Sequence, residues 1–214
     1  MSDYRQILVG SGSAKGDLGT FLTRALRLDE SAVIRARNRG PKHFTVWTQT
    51  GFGVLAARTI PGRATPADLV AAADHLLHNL RGAHGYAVDP GYSLDSAWRG
   101  ALPADQGYEH VDDIPASLIV ELAEQGSVLA REHGSQQGPP TSLLDQHVVT
   151  ASSDNHTVGI TMRSAFAIVG MGFVPKELDD DEKIRVRASG VWTRVDARFG
   201  SIFIRRNSLQ LFTN

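Results

Sequence analysis

The chain has 214 residues, 42% hydrophobic and 21% charged, with a formal net charge of −1, 21 Gly, 9 Pro and no Cys. This composition excludes a disordered or collagen-like chain, and without cysteine there are no disulfides, thiolate nucleophiles or zinc–thiolate sites. The longest apolar stretch, Ala165 to Val174, falls far short of the roughly 20 residues that cross a bilayer, and the N-terminus leads into no signal-type apolar core, so a soluble, cytoplasmic protein with no membrane partner is expected.

Asp17 reads as the N-cap of a helix running to about Leu28. Leu18, Phe21, Leu22, Ala25 and Leu26 form its apolar stripe, with Arg24 and Arg27 opposite. A β-meander follows over Ala32–Arg39, His43–Thr50 and Val54–Ile60, with turns at Gly40-Pro41 and Gly51–Gly53. Thr65 as N-cap, Pro66 at the first position, Asp68 and a closing Gly82 predict a second helix whose core face is Leu69, Ala73, Leu76, Leu77 and Leu80. Residues 83–112 lack periodicity but carry Tyr86, Tyr92, Trp98 and Tyr108, which suits a linker or strap that packs on something. A third helix is expected over Ile114–His133, capped by Asp113, with Ile114, Leu118, Leu122 and Leu129 on one face. Gly134–Pro140 is a breaker; Leu143–Ser152 and His156–Thr161 suggest a short turn and a hairpin across Ser153-Asp154-Asn155. Helical spacing resumes from Met162 to Val169 and ends at Gly170, Gly172 and Pro175. After the acidic connector Glu177–Glu182 come strands Ile184–Ser189, Val191–Ala197 and Ser201–Arg206. The expected class is α+β: two small antiparallel-sheet domains with packed helices, at 1–82 and 113–214, joined by the linker 83–112.

The segments Gly107–Pro115, Ile160–Pro175 and Val191–Ser201 resemble uncharacterised proteins of high-GC actinobacteria. The resemblance spans most of the chain and implies a two-part α+β protein with no assigned activity.

Charge is segregated along the chain. Residues 1–63 carry +6, residues 64–160 carry −10 and residues 161–214 carry +3. Such separation bears on association and on the sign of a ligand, not on fold.

Catalytic patterns are weak. Gly10, Gly12 and Gly16 before a helix depart from the dinucleotide spacing, and Lys15 is followed by Gly16 where a phosphate-binding loop needs Ser or Thr. His75, His78, Asp74 and His84 lack a third ligand at fixed spacing, so no metal is expected. Ser153, Asp154 and His156 share one predicted turn, which cannot line up nucleophile, base and orienting acid. No cofactor is expected.

Two strand faces are more informative. With Ser189-Gly190 as a two-residue turn, Arg187 faces Trp192, Arg185 faces Arg194 and Lys183 faces Asp196 on one side; Ile184, Val186, Ala188, Val191, Thr193 and Val195 take the other. In the first domain Arg35, Arg37 and Arg39 share a face opposite Ile34 and Ala36. Convergent guanidinium groups beside an aromatic ring suit phosphates and stacked bases. The expected function is non-enzymatic binding, with self-association through charge-complementary surfaces as a homo-oligomer. Alternatives are a regulator that binds nucleic acid or a phosphorylated ligand through these faces, and a small-molecule enzyme with its pocket under residues 83–112.

Overall fold

The computed structural model describes residues 4–133 and 138–206; four residues of the expected breaker Gly134–Pro140 lie outside them. The chain forms two units. One takes residues up to Gly51 together with Leu55–Ala101, the other Phe52–Val54 together with residues from Leu102 onward. Each is an antiparallel sheet carrying packed helices, so the α+β class with two small sheet domains holds. No helix among the described residues is long and apolar enough to cross a membrane.

The first unit contains β1 (Gln6–Val9), α1 (Gly12–Leu28), β2 (Val33–Arg39), β3 (His43–Gln49), β4 (Leu55–Thr65), β5 (Asp68–Ala72), α2 (Ala73–Gly82) and β6 (Ala87–Val88). Its strands run β5-β2-β3-β4; the far end of β4 pairs with β1, and β1 with β6. The two helices pack on each other and on the sheet. Leu18, Phe21 and Leu22 of α1 and Leu76, Leu77 and Leu80 of α2 are buried with Ile34, Phe44, Val46 and Ile60.

The starts of both helices differ from the sequence reading. The first helix begins a turn and a half earlier than Asp17, because Ser11 is extended and its hydroxyl accepts from the Ala14 N–H at 3.2 Å. Asp17 instead pairs with Arg58 at 2.6 Å. The Thr65–Asp68 cap signature does not open a helix: Asp68–Ala72 is a strand, and α2 starts at Ala73. Register puts Asp68 opposite Arg37, beside Arg35, and the carboxylate meets those guanidinium groups instead of capping local N–H groups. Tertiary pairing outweighs local propensity here.

Residues 83–101 are ordered along this unit. A 3₁₀ turn at Asp95–Ala97 follows β5, where Asp95 accepts from the Val70 N–H and Leu94 N–H donates to Val70 O, both at 3.2 Å. Arg5 donates to the carbonyls of Gly91 and Val70. The outward N–H and C=O of Val70, at the edge of β5, are thereby satisfied, one way of covering an edge strand.

The second unit contains β7 (Glu109–Pro115), α3 (Ala116–His133), α4 (Thr141–Leu144), β8 (His147–Ser152), β9 (Thr157–Thr161), α5 (Met162–Gly170), β10 (Lys183–Ser189), β11 (Trp192–Ala197) and β12 (Gly200–Arg205). Its main sheet runs β12-β11-β10-β7, and β8-β9 is a separate hairpin closed by Ser153 N–H donating to His156 O at 2.8 Å. Asp113 does not cap α3, because Asp113–Pro115 pairs with Lys183–Arg185 as strand. The buried face of α3 is Ala116, Ile119, Ala123 and Gly126, while Leu118 and Leu129 are exposed. The cause is close packing on α5: a Cβ at Gly126 would lie 2.5 Å from Met162 Sδ.

Candidate nucleic-acid interface

The strand β10 pairs with β11 in the register Arg185↔Asp196, Arg187↔Arg194 and Ser189↔Trp192. The reversing residues are therefore Gly190 and Val191, not Ser189 and Gly190. The Val191 carbonyl accepts from the Arg206 N–H at 2.8 Å, and the Val191 side chain is exposed rather than turned to the core. The shift keeps every other residue on its expected face but changes the partners. Arg187 meets Arg194 instead of Trp192, and Asp196 moves opposite Arg185 instead of Lys183.

That shift decides the electrostatics. The carboxylate of Asp196 accepts from Arg187 at 2.6 Å and from Arg194 at 2.7 Å, and the Ser201 hydroxyl donates to it as well. One anion thus sits between two guanidinium groups that would otherwise repel across the strands. Arg185 donates to Asp113 at 3.1 Å. Arg194 makes cation–π contacts: its guanidinium lies 5.8 Å from the Tyr108 ring centroid and 5.5 Å from that of Phe203. Burial pushes the Tyr108 hydroxyl above its ordinary pKa. The Asp113 carboxyl is held below its usual range, chiefly by the His110 hydrogen bond and then by Arg185.

In the first unit strand alternation puts Arg35, Arg37 and Arg39 together, as expected, with Ile34 and Ala36 buried behind them. Arg35 grips Asp68 through two 2.7 Å hydrogen bonds, and Arg37 lies 3.9 Å from the same carboxylate. The Arg35 guanidinium also lies 6.0 Å from the Trp98 ring, and the Asp68 hydrogen bond raises its pKa further. Trp98 and Tyr108, both from the segment 83–112, therefore pack on arginines. Arg39 is exposed and has no ion pair among the described residues.

A second cationic surface, given no site role by the sequence, lies on the helices of the first unit. Gly12, Lys15, Gly16, Arg24 and Arg27 of α1 and Arg81 of α2 border an open groove of about 590 Å³. Lys15 is anchored by its Nζ donating to the Ala83 carbonyl at 2.5 Å. Among the described residues Arg24, Arg27 and Arg81 have no carboxylate partner. Two acids of this helix region have other partners: Asp17 pairs with Arg58, and Asp29 accepts from the Ser31 N–H and hydroxyl. A Cβ at Gly12 or Gly16 would touch nothing within 4 Å, so α1 presents bare backbone there. The legible signal was Arg24 and Arg27 opposite the apolar stripe; their freedom from acids was not.

The other motifs do not converge. Ser11 of the glycine loop caps α1. His75 packs edge-on against Tyr92, their centroids 5.3 Å apart. No group of three His, Asp or Glu among the described residues could hold a metal ion. His156 leaves its turn to meet Glu109 at 3.1 Å.

Two family models match the chain. One, described as Domain of unknown function (DUF8185), covers residues 103–209; the other, Domain of unknown function (DUF8010), covers residues 3–100. No curated protein matches it. Among solved structures, the fold is similar to a DNA polymerase sliding clamp from Caulobacter crescentus, with TM-score 0.58 and 11% identity, covering 99% of this chain and 69% of that one. It is also similar to a putative DNA polymerase III beta subunit from Eubacterium rectale (TM-score 0.57, 10% identity, 99% and 68% covered). The beta subunit from DNA polymerase of Streptococcus pyogenes gives TM-score 0.55 at 12% identity, with 98% and 68% covered. These likenesses correct the resemblance drawn from sequence. The chain is not confined to the company of uncharacterised actinobacterial proteins, because its fold is repeatedly similar to solved DNA polymerase III beta subunits and sliding clamps.

Proposed function

We propose, for a chain that belongs to the family described as Domain of unknown function (DUF8185), that the protein is a non-enzymatic, self-associating binder of nucleic-acid backbone that acts in the manner of a sliding clamp. The α1–α2 groove carries this reading. It gathers guanidinium groups with no carboxylate among them, beside an open stretch of helix backbone. Phosphate contacts of this kind give affinity without reading sequence. Among the described residues the groove is lined by glycines, threonines, leucines and the cations Lys15, Arg24, Arg27 and Arg81.

The sheet faces support a second reading. Arg187 and Arg194 share one acid, so the pair keeps a net positive charge, and Arg39 has no ion pair among the described residues. Fluorescence anisotropy of a short duplex across salt concentrations separates the two. Replacing Arg24, Arg27 and Arg81 with Ala should flatten the log–log salt slope by about 2–3, since each phosphate contact contributes roughly 0.9. An unchanged slope rejects the groove. A slope that flattens instead in Arg187→Ala with Arg194→Ala assigns the binding to the sheet.

A further inference from the structure

The second unit holds a polar cavity of about 480 Å³ that the nucleic-acid reading does not use, walled by the β8–β9 hairpin, the first turn of α5 and the end of β12. Among the described residues its lining includes Arg163, Arg205 and Arg206 against one acidic residue, Asp145. Arg163 is fixed on two sides: it donates to the Phe52 carbonyl at 2.6 Å and also to Asp145. Arg205 and Arg206 have no carboxylate partner among the described residues.

Two glycines shape the wall around these groups. Gly53 has φ 72°, and a Cβ there would lie 3.2 Å from the Arg163 guanidinium. At Gly159 a Cβ would lie 2.0 Å from the His147 ring, so the imidazole lies directly on the β9 backbone. Side chains at these two positions would crowd the cation and the ring out of place. Thr157 adds a hydroxyl to the lining.

From this arrangement we infer that the cavity is a binding site for a small phosphorylated metabolite, recognised through its phosphomonoester dianion. Guanidinium groups match tetrahedral oxyanions by paired N–H donors. With three arginines to one carboxylate among the described lining residues, the site carries an excess of positive charge that an anion offsets. The volume lies within the range of small-molecule sites.

Isothermal titration with inorganic phosphate and with ribose 5-phosphate, against chloride at matched ionic strength, tests the site. Wild-type protein should show saturable, one-site binding of both phosphates. Arg205→Gln with Arg206→Gln should weaken it at least about tenfold at an unchanged melting temperature, because the Arg206 contact that holds the turn is a backbone one. Arg24→Ala with Arg27→Ala should leave phosphate binding intact even where duplex binding falls, so the two readings fail separately. No saturable heat up to about 10 mM ligand, or equal affinity in the Gln variant, overturns the proposal.

Discussion

At the scale of single residues, Asp196 has the largest task in the second unit. Its carboxylate is only 18% exposed and meets both Arg187 and Arg194. Asp196→Asn leaves two half-buried guanidinium groups opposed across the strands with only a neutral amide between them. Hydrogen bonds to charged groups are worth about 1.5–3 kcal/mol, so urea unfolding should show a loss of about that size. Adding Arg187→Met should recover part of it, since the partners are coupled. Asp113 gives a pH-dependent counterpart. Its folded pKa lies below the unfolded one, so its share of stability is present above the unfolded carboxylate value, about 3.9. That share is lost as pH falls through the folded value. The stability difference between wild type and Asp113→Asn should therefore shrink on acidification, and the Asp113 carboxyl should titrate below a reference peptide by NMR.

At the scale of elements, strand pairing decides which local signals survive. The junction of β4 with β1 depends on Gly62, which has φ 143°. A Cβ there would lie 2.3 Å from the Leu8 carbonyl oxygen, in the neighbouring strand. Backbone cannot retreat as a flexible side chain can, so Gly62→Ala should cost more than about 2 kcal/mol in equilibrium unfolding. The same dependence on pairing explains the second helix. Thr65, Pro66 and Asp68 spell a helix start locally, yet Asp68–Ala72 fills the place beside β2 and the helix waits until Ala73. In α3 the leucine stripe suggested a core face. The sequence could not say that close approach to α5 reserves the inner face for Ala123 and Gly126.

For the whole molecule, charge segregation makes self-association testable. Contacts between basic and acidic surfaces of separate copies weaken as the Debye length falls from about 30 Å at 0.01 M salt to about 3 Å at 1 M. Light scattering should therefore report a larger mass at low ionic strength than at high. A monomer at low salt and at about tens of micromolar protein would count against association.

Length, composition and the two hydrophobic periods determined the α+β class, the alternation of each strand face and most element positions, because these depend on residues close together in the chain. Which arginines remain available to a ligand was decided only by tertiary structure. A guanidinium is neutralised by whatever carboxylate the fold brings to it. For Arg35 that acid lies 33 residues away, and for Arg185 it lies 72 away. The freedom of Arg24, Arg27 and Arg81 and the gathering of Arg163, Arg205 and Arg206 arise in the same way, from contacts between distant segments that no local pattern records.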